Sequence, residues 1–153
     1  MLDLAKVKTY PIAQRKNLVT LADFVQPADS PVVWQDKDFE QLCRLVFDAS
    51  RAGRTIVFQM GAHVVKCGMG LLLRDLMERG LITHLAMNGA CAIHDFEIAL
   101  IGATSEDVPD GIEHGSFGMA EETGRFINET VNASTEGFGK ASLHRRLLEL
   151  AGG

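Results

Sequence analysis

Two short apolar runs, each followed by a turn with glycine and then by a helical pattern, constrain the fold of this chain most. The runs at residues 55–60 and 81–86 carry the β-branched and aliphatic side chains that favour strands. Apolar residues recur at helical spacing over residues 36–52, 71–79 and 91–101. This α-β-α-β-α order is typical of right-handed crossovers between parallel strands. We therefore predict an α/β fold with flanking helices and a parallel sheet that is incomplete, because only two strands can be placed.

The remaining segments have weaker patterns. Prolines interrupt residues 1–35, which we interpret as a loop-rich arm ahead of a domain over residues 36–153. Residues 102–118 are polar and rich in turn residues, and Ser105, Glu106 and Asp107 resemble a helix start. Helical spacing returns over residues 120–131 and 141–150. These elements extend the α/β prediction but do not add strands to the sheet.

Composition excludes several classes of function. The net charge of −5 argues against nucleic acid as the main partner, because phosphate binding needs a basic surface. The sequence lacks an apolar run long enough for a membrane span and begins without a secretory signal. Its three cysteines lack the spacing of a zinc site or a disulfide framework. We expect a cytoplasmic protein without a membrane, nucleic-acid or metal partner.

Glycines between the first strand and the next helix suggest a phosphate site. Backbone N–H groups at Gly61, Gly68 and Gly70 can approach a phosphate at a helix start, with His63 and Lys66 nearby. The pattern departs from the dinucleotide fingerprint, which needs a third glycine where this chain has leucine. The alternative is a glycine-rich turn with a solvated lysine.

The turn after the second strand carries the strongest site candidates. Asn88 and Gly89 lie where ligands of open α/β sheets bind. His94, Asp95 and Glu97 follow in the first turns of the helix, and His94 and Glu97 share a face at i,i+3 spacing. They can act as acid and base, hold an amine or contribute to a metal site. The alternative is a helix start that favours acids for its dipole.

Cys91 lies in the same helix start and has two interpretations. A helix amino terminus and a histidine three residues away would activate a thiol nucleophile. A buried cysteine that packs as a small apolar side chain is commoner, and we favour that interpretation.

Several of these segments together resemble a bacterial family related to deoxyhypusine synthase. The resemblance extends over about residues 6–135 and depends on the order of the motifs. The matching segments are residues 61–68, 75–80, 88–90, 94–97, 104–108 and 115–124. Members of that family are longer, and the half that holds the synthase's catalytic lysine has no counterpart here, so we expect this chain to be the amino-terminal part of a longer member.

The resemblance implies a Rossmann-like fold that binds NAD and acts by hydride transfer at an amine or amino-acid carbon. It adds Ser105, Glu106 and Asp107 to the expected cofactor contacts and implies a homo-oligomer. The expected catalytic residues are His94, Asp95 and Glu97. Two alternatives stay open: a non-catalytic binding or assembly module, and a metal-dependent hydrolase centred on the histidines.

Overall fold

The computed structural model describes residues 6–29 and 34–133, and it confirms the α/β class. The helix predicted over residues 141–150 lies outside the described residues. The helices are α1 (Lys37–Arg51), α2 (His63–Lys66), α3 (Gly70–Glu78), α4 (Gly89–Ile101), α5 (Val108–Glu113) and α6 (Glu121–Ala133). The strands are β1 (Asn17–Thr20), β2 (Val57–Met60), β3 (His84–Met87) and β4 (Ala103–Glu106).

The chain divides into two compact units. Residues 17–105 form the central unit, and residues 1–16 together with 106–153 form the discontinuous unit. The division differs from the predicted boundary at residue 36. Residues 17–35 belong with the segment that follows them, whereas the first sixteen residues belong with the carboxyl-terminal part of the chain.

The predicted parallel strand pair is confirmed in the central unit. β2 and β3 pair in parallel, with Val57 opposite His84 and Met60 opposite Met87. The connection between them runs through α2 and α3, as a crossover between parallel strands requires. Because the strands are in register, their carboxyl ends and the turns that follow lie at one edge of the sheet.

Two further strands form a second, antiparallel sheet. β1 pairs with β4, and beyond the end of β1 the Leu21 N–H donates to the Gly102 carbonyl oxygen at 3.1 Å. The predicted helix start at Ser105 is wrong, because β4 continues through Glu106 and α5 begins only after Asp107. Neither sheet exceeds two strands among the described residues. The finer prediction of a Rossmann-like sheet is therefore not confirmed.

Local signals fix the helix ends where the sequence places them. The Asp36 carboxylate accepts the Phe39 N–H at 2.8 Å, which caps the amino end of α1. Gly102 ends α4 in the left-handed conformation, with φ of +66°. Within the part of the chain that the structure describes, none of the helices is long and apolar enough to cross a membrane.

The central unit is buried on one side and leaves apolar surface on another. Its small core holds Val65, Leu73, Ile82 and Cys91, and α2 packs against α4. Several apolar side chains of α1 are, by contrast, more than half exposed. Together with residues of β2 and α3, apolar side chains of α1 line an open groove of about 890 Å³. The groove-lining residues include Phe39, Leu42, Val46 and Phe47 of α1, Val57 of β2 and Ile56 just before β2.

Candidate functional site

An open cleft of about 590 Å³ lies at the carboxyl ends of the two parallel strands. Met60 and Met87 are the last residues of β2 and β3, they pair in the sheet, and both line the cleft. Its remaining walls come largely from α3 and α4 and include Gly70, Leu73 and Asp95. Open α/β sheets bind ligands at this edge, and the volume is in the range of small-molecule sites.

The predicted phosphate-binding glycines differ in what surrounds them. Gly61 follows β2 and Gly70 begins α3, and a Cβ added at either position would have no heavy atom within 4 Å. Gly68 has a left-handed φ of +78°, and a Cβ there would lie 2.8 Å from the Asp23 carbonyl oxygen. Glycine is needed at position 68 because the chain's own backbone approaches it. The phosphate contact predicted for the Gly68 backbone stays a prediction.

His63 and Lys66 are the first and last residues of α2. His63 is exposed and Lys66 is half-buried. α2 packs against α4, but neither side chain is among the residues that line the cleft. Their predicted cofactor contacts therefore rest on the sequence alone.

The turn after β3 is shaped by a helix cap. The Asn88 Oδ1 accepts the Cys91 backbone N–H at 3.3 Å and the Cys91 thiol at 3.3 Å. Asn88 is thus the amino-terminal cap of α4, and Gly89 is the first residue of the helix. Cys91 is fully buried, which confirms the interpretation of this cysteine as a packed side chain rather than an exposed nucleophile.

The three predicted catalytic residues of α4 lie on two faces of the helix. Asp95 is exposed and lines the cleft. His94 and Glu97 share another face, as their spacing predicts, because both contact Thr104 of β4. Glu97 is only 2% exposed. The expectation that all three side chains face a ligand crevice is therefore wrong for Glu97.

Thr104 is the residue that sequence reasoning missed. Its Oγ1 lies 2.8 Å from the Nδ1 of His94 and donates to the Oε2 of Glu97 at 2.6 Å. Thr104 is fully buried, and a buried carboxylate and hydroxyl need partners of this kind. A threonine seven residues after a glutamate has no recognisable spacing, and Thr104 lies in β4, beyond the left-handed end of α4 at Gly102.

The remaining predicted cofactor residues divide between the units. Ser105 belongs to the central unit, is 9% exposed and has a left-handed φ of +65°. Glu106 and Asp107 belong to the discontinuous unit. Glu106 accepts the Tyr10 hydroxyl at 2.7 Å and the Gly118 N–H at 2.9 Å. Its carboxylate thus joins the amino-terminal segment to the loop before α6.

Two further carboxylates, Asp107 and Glu122, bind residues of the same amino-terminal segment. Lys16 Nζ lies 2.6 Å from the Asp107 Oδ2, and this hydrogen bond lowers the pKa of Asp107 and raises the pKa of Lys16. Glu122 accepts the Ile12 N–H at 2.7 Å, which lowers the pKa of Glu122. These carboxylates stabilise the unit itself, so a cofactor role for Asp107 stays a prediction.

We searched residues 6–29 and 34–133 for groups of three or more histidine, cysteine, aspartate or glutamate side chains that could hold a metal ion. The described residues contain no such group. The geometry offers a cleft with two carboxylates, Glu78 and Asp95, and one guanidinium, Arg74, among its lining residues. On another face of α4 it offers a buried contact of His94, Thr104 and Glu97. Comparisons with protein-family models, curated proteins and solved structures find no match to this chain.

Proposed function

We propose that the cleft at the carboxyl ends of β2 and β3 binds a dinucleotide, NAD, within a Rossmann-like arrangement. The observation that carries the proposal is the register of the two strands. Because Met60 is opposite Met87, the turns that begin at Gly61 and Asn88 meet at one edge, beside a cleft of about 590 Å³. Two turns with glycine that meet at one strand edge are the usual setting for a dinucleotide.

The roles follow from what surrounds each residue. Gly61 and Gly70 offer backbone that a phosphate can approach without meeting a side chain. Asn88 and Gly89 fix the start of α4, beside which the ribose or nicotinamide would lie. Asp95 faces the cleft and supplies the negative charge that a cationic amine or amino-acid substrate needs.

The chemistry we propose is hydride transfer at an amine or amino-acid carbon, as in the deoxyhypusine synthase-like family. NAD would supply the redox step when bound. The chain's own residues would bind and orient the substrate, with Asp95 on the wall of the cleft as its ionic partner.

A thermal-shift titration tests the cofactor. We expect millimolar NAD to raise the melting temperature of the wild-type chain, because a ligand that binds only the folded state stabilises it. Gly70→Leu should abolish the shift, since Gly70 lines the cleft and its position is open. Gly124→Leu, an equally open glycine position on α6, is the matched control and should keep it. A folded wild-type protein that shows no shift would exclude the proposal for this chain.

A second proposal concerns assembly, which the uncovered apolar groove favours. Leu42 and Leu45 on α1 are 56% and 59% exposed, and Val57 on β2 is 54% exposed. Soluble monomers rarely leave a contiguous apolar surface of this kind in water. We propose that a second copy of the chain covers it, with α1 in the contact together with α3, whose Leu76 also lines the groove.

Light scattering tests the assembly. We expect a dimer or larger species, and Leu42→Lys should convert it to a monomer of 16.7 kDa. Ile112→Lys is the matched control, because Ile112 on α5 is similarly exposed, at 65%, but is not among the residues that line the groove. A wild-type chain that stays monomeric at high concentration would contradict the proposal.

A further inference from the structure

Most of the cleft at the carboxyl edge of β2 and β3 is lined by apolar side chains. Val65 of α2, Leu73 of α3 and Cys91 of α4 are each at most 7% exposed. Thioether side chains are unbranched and polarisable, so they adapt to the shape of an apolar group beside them. Three methionines line this cleft: Met60, Met77 and Met87. The lining therefore offers a place for an apolar side chain of a ligand.

The charged residues of the same lining lie on two helices. Arg74 and Glu78 are one turn apart on α3, and Asp95 is on α4. The Arg74 Nε lies 3.5 Å from the Glu78 Oε1. A guanidinium has five N–H donors, so a contact through Nε leaves its terminal N–H groups able to bind a second carboxylate in a bidentate manner. Arg74 can thus pair with Glu78 or with an anionic group of a ligand.

Asp95 supplies the opposite charge. In the part of the chain that the structure describes, its carboxylate has no hydrogen bond and no ion pair, although it lines the cleft. A cationic group of a ligand in the cleft would give this carboxylate a partner. One guanidinium and one carboxylate, on different helices and beside an apolar lining, together match the two charges and the side chain of an amino acid.

These charged residues do not overlap with the glycines that we assign to the cofactor. Arg74 is four residues after Gly70, the first residue of α3, and Asp95 is six residues after Gly89, the first residue of α4. At the rise of an α-helix these separations are about 6 Å and about 9 Å along the two axes. The helix starts are therefore left for the phosphates and ribose, and the following turns for a substrate.

We propose that the cleft binds a free α-amino acid with an apolar side chain, with Asp95 as the partner of its ammonium group and Arg74 as the partner of its carboxylate. The role of this amino acid as a substrate rests on the proposed function, whereas its binding requires only the cleft. The Glu78 side chain is 66% exposed, so water solvates its carboxylate when Arg74 turns to the ligand.

Isothermal titration calorimetry of the full chain, with and without NAD, tests the inference with four probes. L-leucine has both charges and an apolar side chain. The amine 3-methylbutylamine lacks the carboxylate, and 4-methylpentanoate lacks the ammonium group. L-asparagine keeps both charges but has a polar side chain of similar shape. We expect L-leucine to bind at least tenfold more tightly than each of the other three probes.

Two variants separate the two charges. Arg74→Met should weaken the binding of L-leucine at least tenfold and leave that of 3-methylbutylamine unchanged. Asp95→Asn should weaken L-leucine and 3-methylbutylamine and leave 4-methylpentanoate unchanged. Both side chains are exposed, so we expect both variants to fold.

Arg79→Met is the matched control for Arg74→Met. Arg79 is 66% exposed against 68% for Arg74, and each arginine has an i,i+4 acidic partner, but Arg79 is not among the residues that line the cleft. This control should bind L-leucine with wild-type affinity.

Several results would overturn the inference. One is L-leucine that binds neither with nor without NAD, and another is a probe without one of the charges, or L-asparagine, that binds as tightly as L-leucine. Wild-type affinity for L-leucine in Arg74→Met or Asp95→Asn is a third. The cofactor is tested separately: L-leucine binding to a chain that NAD does not stabilise would support this inference and exclude NAD, whereas an NAD shift without L-leucine binding would overturn this inference alone.

Discussion

Gly68→Val should lower the free energy of unfolding by about 4 kcal/mol. Two effects add. A β-branched residue is strained at a φ of +78°, and its Cβ would lie 2.8 Å from the Asp23 carbonyl oxygen and 3.0 Å from the Phe24 Cα. Both neighbours are backbone, so neither can rotate away. The shift of backbone would also break the hydrogen bond from the Val25 N–H to the Gly68 carbonyl oxygen.

Gly70→Ala is the matched control for Gly68→Val. Gly70 is two residues further along and has no heavy atom within 4 Å of an added Cβ. As the first residue of α3 it should tolerate alanine, with a change in stability within about 1 kcal/mol and towards greater stability. Urea unfolding of both variants measures the difference. If Gly68→Val were as stable as wild type, the close approach of residues 23 and 24 would be wrong.

Glu97→Ala should cost about 3 kcal/mol of stability, although a helix-face glutamate is normally replaced without loss. The substitution removes the acceptor of the buried Thr104 hydroxyl, which also contacts the His94 Nδ1. It also leaves a cavity, because the Glu97 side chain is only 2% exposed. An exposed helix-face glutamate normally changes stability by less than about 1 kcal/mol when it is replaced, and the burial of Glu97 is the reason for the larger loss expected here.

Glu78→Ala controls for the loss of a glutamate from a helix. The Glu78 side chain is 66% exposed and its ion pair with Arg74 is 3.5 Å long, so it should contribute less than about 1 kcal/mol. Denaturant unfolding monitored by circular dichroism compares the two variants. Equal stability of Glu97→Ala and Glu78→Ala would show that the buried network does not stabilise the fold.

Local pattern was sufficient to predict the elements whose signals are local. The apolar spacing over residues 36–52 predicts α1, which runs from Lys37 to Arg51. The alternation of strands and helices predicts the parallel pairing of β2 with β3. Both follow from side chains close together in sequence, which select a helix period or a strand and leave little choice of connection.

The features that the sequence did not reveal depend on distant residues. β1 and β4 are four residues each, and the sequence predicts a helix start at Ser105 in a turn-rich segment where the structure has β4 paired with β1. Gly68 looks like a ligand-binding glycine until the backbone of Asp23 is seen against it. Glu97 likewise looks like a surface acid, because its burial depends on a hydroxyl from another element.

Hydrogen exchange of backbone amides, measured with and without NAD, tests the central proposal most directly, because it reports where a ligand binds. The account predicts slower exchange with NAD in the turns that begin at Gly61 and Asn88 and at the start of α3, all at the carboxyl edge of β2 and β3. Exchange in α5 should not change. No added protection at either turn at saturating NAD, or protection confined to other segments, would contradict it.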